Sequence, residues 1–273
     1  MRTLDDKVVA ITGAGGGIGR ALAVHAGDLG AVLALSDWDE TGLAETARLV
    51  RTRTGKEPRT DRLDVRDRRA MHDYAASVRH EFDRVNAVVN NAGVTLLGRF
   101  EEVDHDDFRW VMDVDFWGVV HGTEAFLPHL VESGDGHVVN ISSLFGLMGM
   151  PGQTAYNSAK FAVRGFTEAL RQEMLADRRP VQVTCVHPGG VRTGIVRNAR
   201  STATTDRAEV ARHFDARLAR TTPERAAEII VAGMVAHRPR VLVGNDARVL
   251  DALVRVIGPR YQRAVALVSR RLS

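Results

Sequence analysis

The chain has 273 residues, 44% hydrophobic and 26% charged, with 25 Gly and 8 Pro. That is the make-up of a globular protein with a sizeable core, in one large domain or two small ones. Acidic residues stand in MRTLDDKVVAITG where a signal peptide needs basic ones, and the apolar stretch Ile229 to Ala236 is too short to span a bilayer, so neither a targeting segment nor a membrane span is expected. The single cysteine, Cys185 in VQVTCV, excludes an internal disulfide and fits a reducing cytoplasm; it reads as a small buried strand residue rather than a reactive thiol. The net charge of +3 hides an asymmetry: residues 238–273 carry eight Arg against Asp246 and Asp251, a balance of +6 that leaves −3 for the rest. A nucleic-acid binder spreads its basic residues over a recognition face, so this tail-bound excess speaks against one.

In chain order, short apolar runs alternate with longer segments of helical period. KVVAIT (7–12) predicts a strand and IGRALAVHAGDLG (18–30) a helix closed by Gly30. AVLALSD (31–37) is a second strand, 41–55 a helix ending at Gly55, and RTDRLDV (59–65) a third strand. A helix from Arg68 to Phe82 leads to a fourth strand, VNAVVNNAG (85–93), and a long helix over 105–133 to a fifth, GHVVNISS (136–143). A second long helix covers 155–176, and VQVTCVHPG (181–189) is a sixth strand. Residues 190–222 are polar and rich in Arg, Thr and Ala, as a lid over a site would be. A helix over 222–236 and a seventh strand, RVLVG (240–244), follow. Apolar strands separated by helices predict an α/β fold, a doubly wound parallel sheet of about seven strands in three layers.

Three features carry chemistry. Strand one runs through Gly13, Gly15, Gly16, Gly17 and Ile18 into a helix, so a pyrophosphate can approach the backbone at the helix N-terminus. The second strand ends at Asp37, which can accept hydrogen bonds from both hydroxyls of an adenosine ribose and would repel a 2′-phosphate; with no Lys or Arg inside the loop, NAD is favoured over NADP. Tyr156 and Lys160 stand four apart on a predicted helix and share a face, so the ammonium can move the phenol towards its working range. Ser143 ends the fifth strand thirteen residues before Tyr156. Lysine is rare here, with only Lys7, Lys56 and Lys160 among 37 basic residues, which hints that Lys160 is needed as lysine.

Together with Asp64-Val65, Asn90-Asn91-Ala92-Gly93 and Pro188-Gly189 with Thr193 behind it, these motifs resemble the short-chain dehydrogenase/reductase superfamily over about residues 5–245. The resemblance implies a single Rossmann-type domain (1–245) with a lid at about 190–222, and an oxidoreductase acting on a CH–OH group. It implies Tyr156 as general acid/base, Ser143 as hydrogen bond donor to the substrate oxygen, and Lys160 as holder of the nicotinamide ribose. Asp64 and Val65 would contact adenine, Asn91 and Gly93 would line the cofactor floor, and Pro188, Gly189, Val191 and Thr193 would wrap the nicotinamide. No metal is expected. One departure stands out: Asp115 occupies the position where the family usually has a catalytic Asn, and it is expected to serve the same relay.

Val94–Leu97 and Leu144–Pro151 are strongly apolar and hold no cluster of basic residues, so a hydrophobic secondary alcohol or ketone is the expected substrate. Two alternatives are an NADPH-dependent 3-oxoacyl-type reductase, which Asp37 argues against, and a catalytically silent nucleotide-sensing regulator, which the intact Ser143, Tyr156 and Lys160 argue against. The two long helices carry Phe108, Trp117, Phe126, Phe161 and Phe166; in the family such helices pair across subunits, implying a homotetramer or homodimer. The remaining segment, 246–273, mixes Arg with apolar residues at helical spacing and is broken at Gly258-Pro259. It reads as a helical extension docked on its own or a neighbouring subunit, as a membrane-surface helix, or as a nucleic-acid patch.

Overall fold

A computed structural model describes residues 1–269, with side-chain burial to residue 267; Arg270 and Arg271 of the basic tail lie outside the described residues. Seven strands form one parallel sheet: β1 (Val8–Thr12), β2 (Val32–Asp37), β3 (Arg59–Arg62), β4 (Ala87–Asn90), β6 (Gly136–Ile141), β7 (Val181–Pro188) and β9 (Arg240–Val243), in the order β3-β2-β1-β4-β6-β7-β9. The chain winds outward from β1 in one direction and from β4 in the other, so the crevice between their C-terminal ends is the switch point where such sheets bind ligands. β1 and β6 are buried at every position, which suits the Val, Ile and Ala of β1, while the buried His137 and Asn140 of β6 are hydrogen-bonded to Thr184 and Asn90. β3 differs: it is an edge strand of Arg59-Thr60-Asp61-Arg62, with Arg59 paired to Asp61 at 2.7 Å and Glu81 at 2.8 Å. It stops at Arg62 rather than Val65 because its only neighbour, β2, ends at the paired Asp37.

Helices cover both faces. α1 (Gly17–Asp28) and α8 (Pro223–Val235) pack on one, through Leu22, Ile230 and Met234 against Ile11 and Leu35. α3 (Arg68–Phe82), α5 (Gly118–Glu132) and α6 (Thr154–Ala176) pack on the other, through Met71, Val78, Phe126, Leu130 and Leu170 against Val88 and Val138. α2 (Glu40–Thr54) starts at Asp39, whose side chain accepts the Gly42 amide, and ends at Gly55 with φ 70°. Asp67 and Thr222 cap α3 and α8 in the same way.

The segment expected as one helix over 105–133 is α4 (His105–Met112), a π-helical turn over Asp113–Trp117, and α5. The widened turn centres on Asp115 and leaves that side chain wholly buried; such turns often mark functional positions. Phe126 on α5 belongs to the molecule's own core, edge-on to Tyr74 at 5.7 Å, and faces no neighbour, whereas Trp117 and Phe161 are exposed.

The segment 190–222, expected as a lid, contains regular structure. β8 (Arg200–Ser201) pairs in parallel with β5 (Leu96–Leu97), and α7 (Arg207–His213) precedes a π-helical turn over Phe214–Leu218. The tail forms α9 (Asn245–Ile257) and α10 (Tyr261–Ser269), and it docks on its own subunit. Leu250, Val254, Tyr261 and Val265 pack against Leu144, Leu147 and Met148, and the Gly149 amide donates to the Tyr261 hydroxyl at 2.8 Å.

Candidate active site

Every strand of the central sheet delivers its C-terminal end to one edge, and the predicted residues meet there. After β1 the chain turns at Gly13, whose φ is +66°, and a Cβ at that position would lie 2.7 Å from Ala92 Cα. The Asn91 amide ties the two sides of the crevice, donating to the carbonyls of Thr12 and Gly13 at 3.0 Å each. Gly17 opens α1 at φ +51°, and a Cβ there would press within 3.1 Å of the Thr193 methyl, so the segment after β7 leans directly on the glycine loop. Ile18 faces the core. Asp37 is part of the loop's architecture: its Oδ2 accepts the Gly15 amide at 2.7 Å and its Oδ1 the Asp39 amide at 2.9 Å.

These residues fit a dinucleotide. Gly16, which precedes α1, is exposed, has no atom within 4 Å of where a Cβ would stand, and supplies no side-chain cap. The first-turn amides of α1 therefore open onto space in which a phosphate can lie, and no acidic side chain competes in that turn. One contributor was not visible in the sequence. The Arg20 guanidinium reaches back to the carbonyls of Gly15 at 2.5 Å and Gly42 at 3.1 Å and to the Thr46 hydroxyl at 3.0 Å. It fastens the loop to α2 through Nε and one terminal nitrogen.

At the other end of the crevice stand Ser143, Tyr156, Lys160 and Asp115. Lys160 is buried against Asp115, Nζ to Oδ2 3.0 Å, and also donates to the Ile141 carbonyl at 3.2 Å. Asp115 Oδ1 accepts the Val94 amide at 2.7 Å. Burial works against the Lys160 ammonium, but the charges of Asp115 and Tyr156 outweigh it and lift its pKa above the ordinary lysine value. The ammonium lies 5.5 Å from the centre of the Tyr156 ring. The protein packed around the Tyr156 phenol pushes its pKa up; the Lys160 charge pulls it down, Asp115 pushes it up, and the Ser143 hydroxyl pulls it down again. Gly93 faces the pair, with a Cβ there only 3.4 Å from Lys160 Nζ. The Phe145 ring stands edge-on to Tyr156 at 6.2 Å and gives the site an apolar wall.

Behind Ser143 lies a fully buried histidine that sequence reasoning passed over. His187 Nδ1 donates to the Ser143 carbonyl at 3.0 Å, and burial holds its pKa down at about 4, so it stays neutral. Its place in the run VHPGG was the only signal. The Pro188-Gly189 segment ends β7, the Gly189 amide donates to the Val243 carbonyl at 2.9 Å, and Val191 is bridged to Thr221. Asp246 was also missed. Its Oδ2 accepts the Gly190 amide at 2.6 Å and so pins the loop after β7 to the first turn of α9. Asp64 is paired with Arg66 at 2.5 Å, while Val65 packs on Gly118 and its carbonyl accepts from His121 at 3.1 Å. Cys185 is buried and its thiol pKa is pushed up to about 12, which leaves it inert.

Known proteins are similar to this chain in sequence and in fold. The family model described as short chain dehydrogenase matches residues 7–204. A putative oxidoreductase, SadH, of Mycobacterium tuberculosis is 53% identical over 266 residues, covering 97% of this chain and 96% of that protein. Estradiol 17-beta-dehydrogenase 11 of mouse is 29% identical over 261 residues, 95% of this chain and 83% of that one. Among solved structures, a short chain dehydrogenase/reductase from Burkholderia phymatum in complex with NAD superposes with a TM-score of 0.86 at 29% identity, covering 93% of this chain and 95% of that chain.

Proposed function

Because this chain belongs to the short-chain dehydrogenase family of oxidoreductases, we propose that it transfers hydride between NAD(H) and a hydrophobic secondary alcohol or ketone, with Tyr156 as the general acid/base. The observation that carries this reading is the convergence of Ser143, Tyr156, Lys160 and Asp115 at one end of a crevice whose other end is closed by Asp37 on the glycine loop.

The bound nicotinamide supplies or accepts the hydride. The chain's own residues do the rest. In reduction, Tyr156 gives its phenolic proton to the developing alkoxide, and the Ser143 hydroxyl holds the same oxygen. Lys160 stabilises the phenolate that remains, and its ammonium is the nearest source of a replacement proton. Asp115 keeps Lys160 charged and in place through the contact at 3.0 Å. In oxidation the same groups run in reverse. Asp64, Val65, Asn91 and Gly93 would receive the adenosine and ribose, and Pro188, Gly189, Val191 and Thr193 the nicotinamide side. The carboxylate of Asp37 supports NAD over NADP, since a 2′-phosphate would sit against it unpaired.

The substrate class rests on the wall. Phe145 stands edge-on to Tyr156, the buried Leu144, Leu147 and Met148 pack with it, and no basic cluster lies among them. The likeness to an estradiol dehydrogenase is in keeping with a bulky apolar alcohol. The exposed Trp117 and Phe161 on the helices that pair in this family favour a homotetramer or homodimer. The absorbance of NADH, followed with a panel of hydrophobic secondary alcohols and ketones and repeated with NADP(H), tests the reading. Turnover with NAD(H), lost by about 10² to 10⁴-fold in Tyr156→Phe, supports it. A preference for NADP(H), or full activity in Tyr156→Phe, overturns it.

A further inference from the structure

The inner face of α9 and α10 is occupied by the substrate loop; the outer face is bare. Val249, Leu253 and Val256 recur at helical spacing on α9 and are 64%, 45% and 83% exposed, and Leu267 on α10 is 62% exposed. Four of the twelve large apolar side chains exposed among the described residues fall in this one stretch, so the exposure is a patch and not the usual scatter. Arg248, Arg255, Arg260 and Arg263 stand around it, all exposed. Arg255 is paired with Asp251 at 3.0 Å, whereas Arg248, Arg260 and Arg263 take part in none of the ion pairs found among the described residues. The only acidic residues of the segment are turned inward. Asp246 is engaged by the Gly190 amide, and Asp251 is 13% exposed between Arg240 and Arg255. The outer face is therefore apolar, with a basic border and no free acid.

We propose that this face docks the protein on a lipid surface bearing anionic headgroups, with Val249, Leu253, Val256 and Leu267 at the headgroup–acyl boundary and the arginines at the phosphates. A second copy of the chain suits the face less well. A two-fold contact would set the patch on itself and bring its arginines against their own images, with no carboxylate to answer them. No described helix is long and apolar enough to cross a membrane, so the contact is one of helices lying in the surface. The opposite side of the same helices clasps Leu144, Leu147 and Met148, so docking would hold the substrate loop beside the lipid. That consequence rests on the apolar-substrate reading; the docking does not.

Flotation with vesicles tests the proposal directly. Wild-type protein is mixed with vesicles of phosphatidylcholine alone or with a third phosphatidylglycerol, at low and high salt, alongside V249E/L253E/V256E and R248E/R260E/R263E. Binding to the anionic vesicles should exceed that to neutral ones by about tenfold or more and weaken with salt, as expected where each surface arginine contributes about fivefold in partitioning. Both variants should lose about tenfold or more while still binding NADH in solution, which shows them folded. Failure of the wild type to float, or flotation unchanged in a folded variant, overturns the proposal. So does a light-scattering result in which V249E/L253E/V256E dissociates an oligomer while the wild type ignores both vesicles, which assigns the face to a second copy. None of these readouts depends on the substrate, so a failed docking and a mistaken substrate class remain distinguishable.

Discussion

Lys160 and Asp115 form an ion pair shut away from solvent, 3.0 Å apart, with Lys160 3% and Asp115 0% exposed. The asparagine common at this position in the family would leave the ammonium facing only neutral partners. Here a carboxyl group sits behind it; burial lifts the Asp115 pKa above the usual carboxylate range while the Lys160 ammonium and the Val94 amide pull it back, and its charge raises the Tyr156 phenol as well. Asp115→Asn keeps the size of the side chain and an oxygen for the Val94 amide while removing the charge. The phenol should then ionise more readily, and the apparent pKa on the acidic side of the kcat/KM profile for alcohol oxidation should fall. An unmoved profile would mean that Asp115 has no electrostatic part in the reaction.

The same pair sets a stability test. Removing one member of a buried ion pair leaves the other charge uncompensated, at a cost of about 3–5 kcal/mol, whereas replacing both with apolar groups is often neutral. Asp115→Leu and Lys160→Met should therefore each lower the urea midpoint strongly, and the double variant should recover most of the loss. Additive losses in this cycle would show that the two charges do not depend on each other.

Burial also makes the protein acid-sensitive through two histidines. His187 is held at about 4 and His137 at about 3, both below the ordinary 6.5. Between those values the unfolded chain binds protons that the folded one refuses. Stability is therefore whole above about pH 6.5 and drains as the pH falls, by about 2 kcal/mol per histidine near pH 5. Urea midpoints measured from neutral pH down to about pH 5 should fall steeply, and His187→Gln should remove part of the slope. A flat series would contradict the burial of these rings in neutral form.

The switch from NAD to NADP can be probed at Asp37. Asp37→Asn preserves one acceptor for the loop and removes the charge that a 2′-phosphate would meet. The ratio of kcat/KM for NAD over NADP should drop by about ten to a hundredfold, because like charges brought together cost on the order of a few kcal/mol. An unchanged ratio would place the discrimination elsewhere.

What could be read in advance follows from the range of the interactions. The apolar runs around Val8–Thr12, Gly136–Ile141 and Val181–Pro188 announce buried parallel strands because most residues there answer to burial. The glycine loop, Asp37, Ser143, Tyr156 and Lys160 are legible because strand ends and the helical repeat fix their neighbours locally. The π-helical turn at Asp113–Trp117 is not, since nothing in VMDVDFWG departs from ordinary helical period and the widening serves the long-range contact of Asp115 with Lys160 and Val94. Arg20 and Asp246 escape for a similar reason. Each acts on a backbone group, Arg20 on the Gly42 carbonyl and Asp246 on the Gly190 amide, and no side-chain pattern in the sequence marks a backbone partner 22 or 56 residues away.

Asp246 gives that last point an experimental form. Its carboxylate sits in the first turn of α9, where a negative charge is favoured by the helix N-terminus, and Gly244 with φ +96° turns the chain so that it reaches Gly190. The loop it pins carries Val191 and Thr193, and the Thr193 methyl leans on Gly17. Loss of the anchor should therefore be felt at the cofactor, although Asp246 touches no residue of the Tyr156 group. In Asp246→Ala the Gly190 amide loses its partner, and the affinity for NADH, measured by titration calorimetry, should weaken by about tenfold, the equivalent of one strong charge-assisted hydrogen bond. Asp246→Asn retains a carbonyl oxygen for the amide and should recover most of the affinity. If both variants lower the urea midpoint but bind NADH as the wild type does, Asp246 serves the docking of the tail and not the loop. Equal affinity and equal stability in all three proteins would mean that the loop holds its shape through the Val191–Thr221 bridge alone.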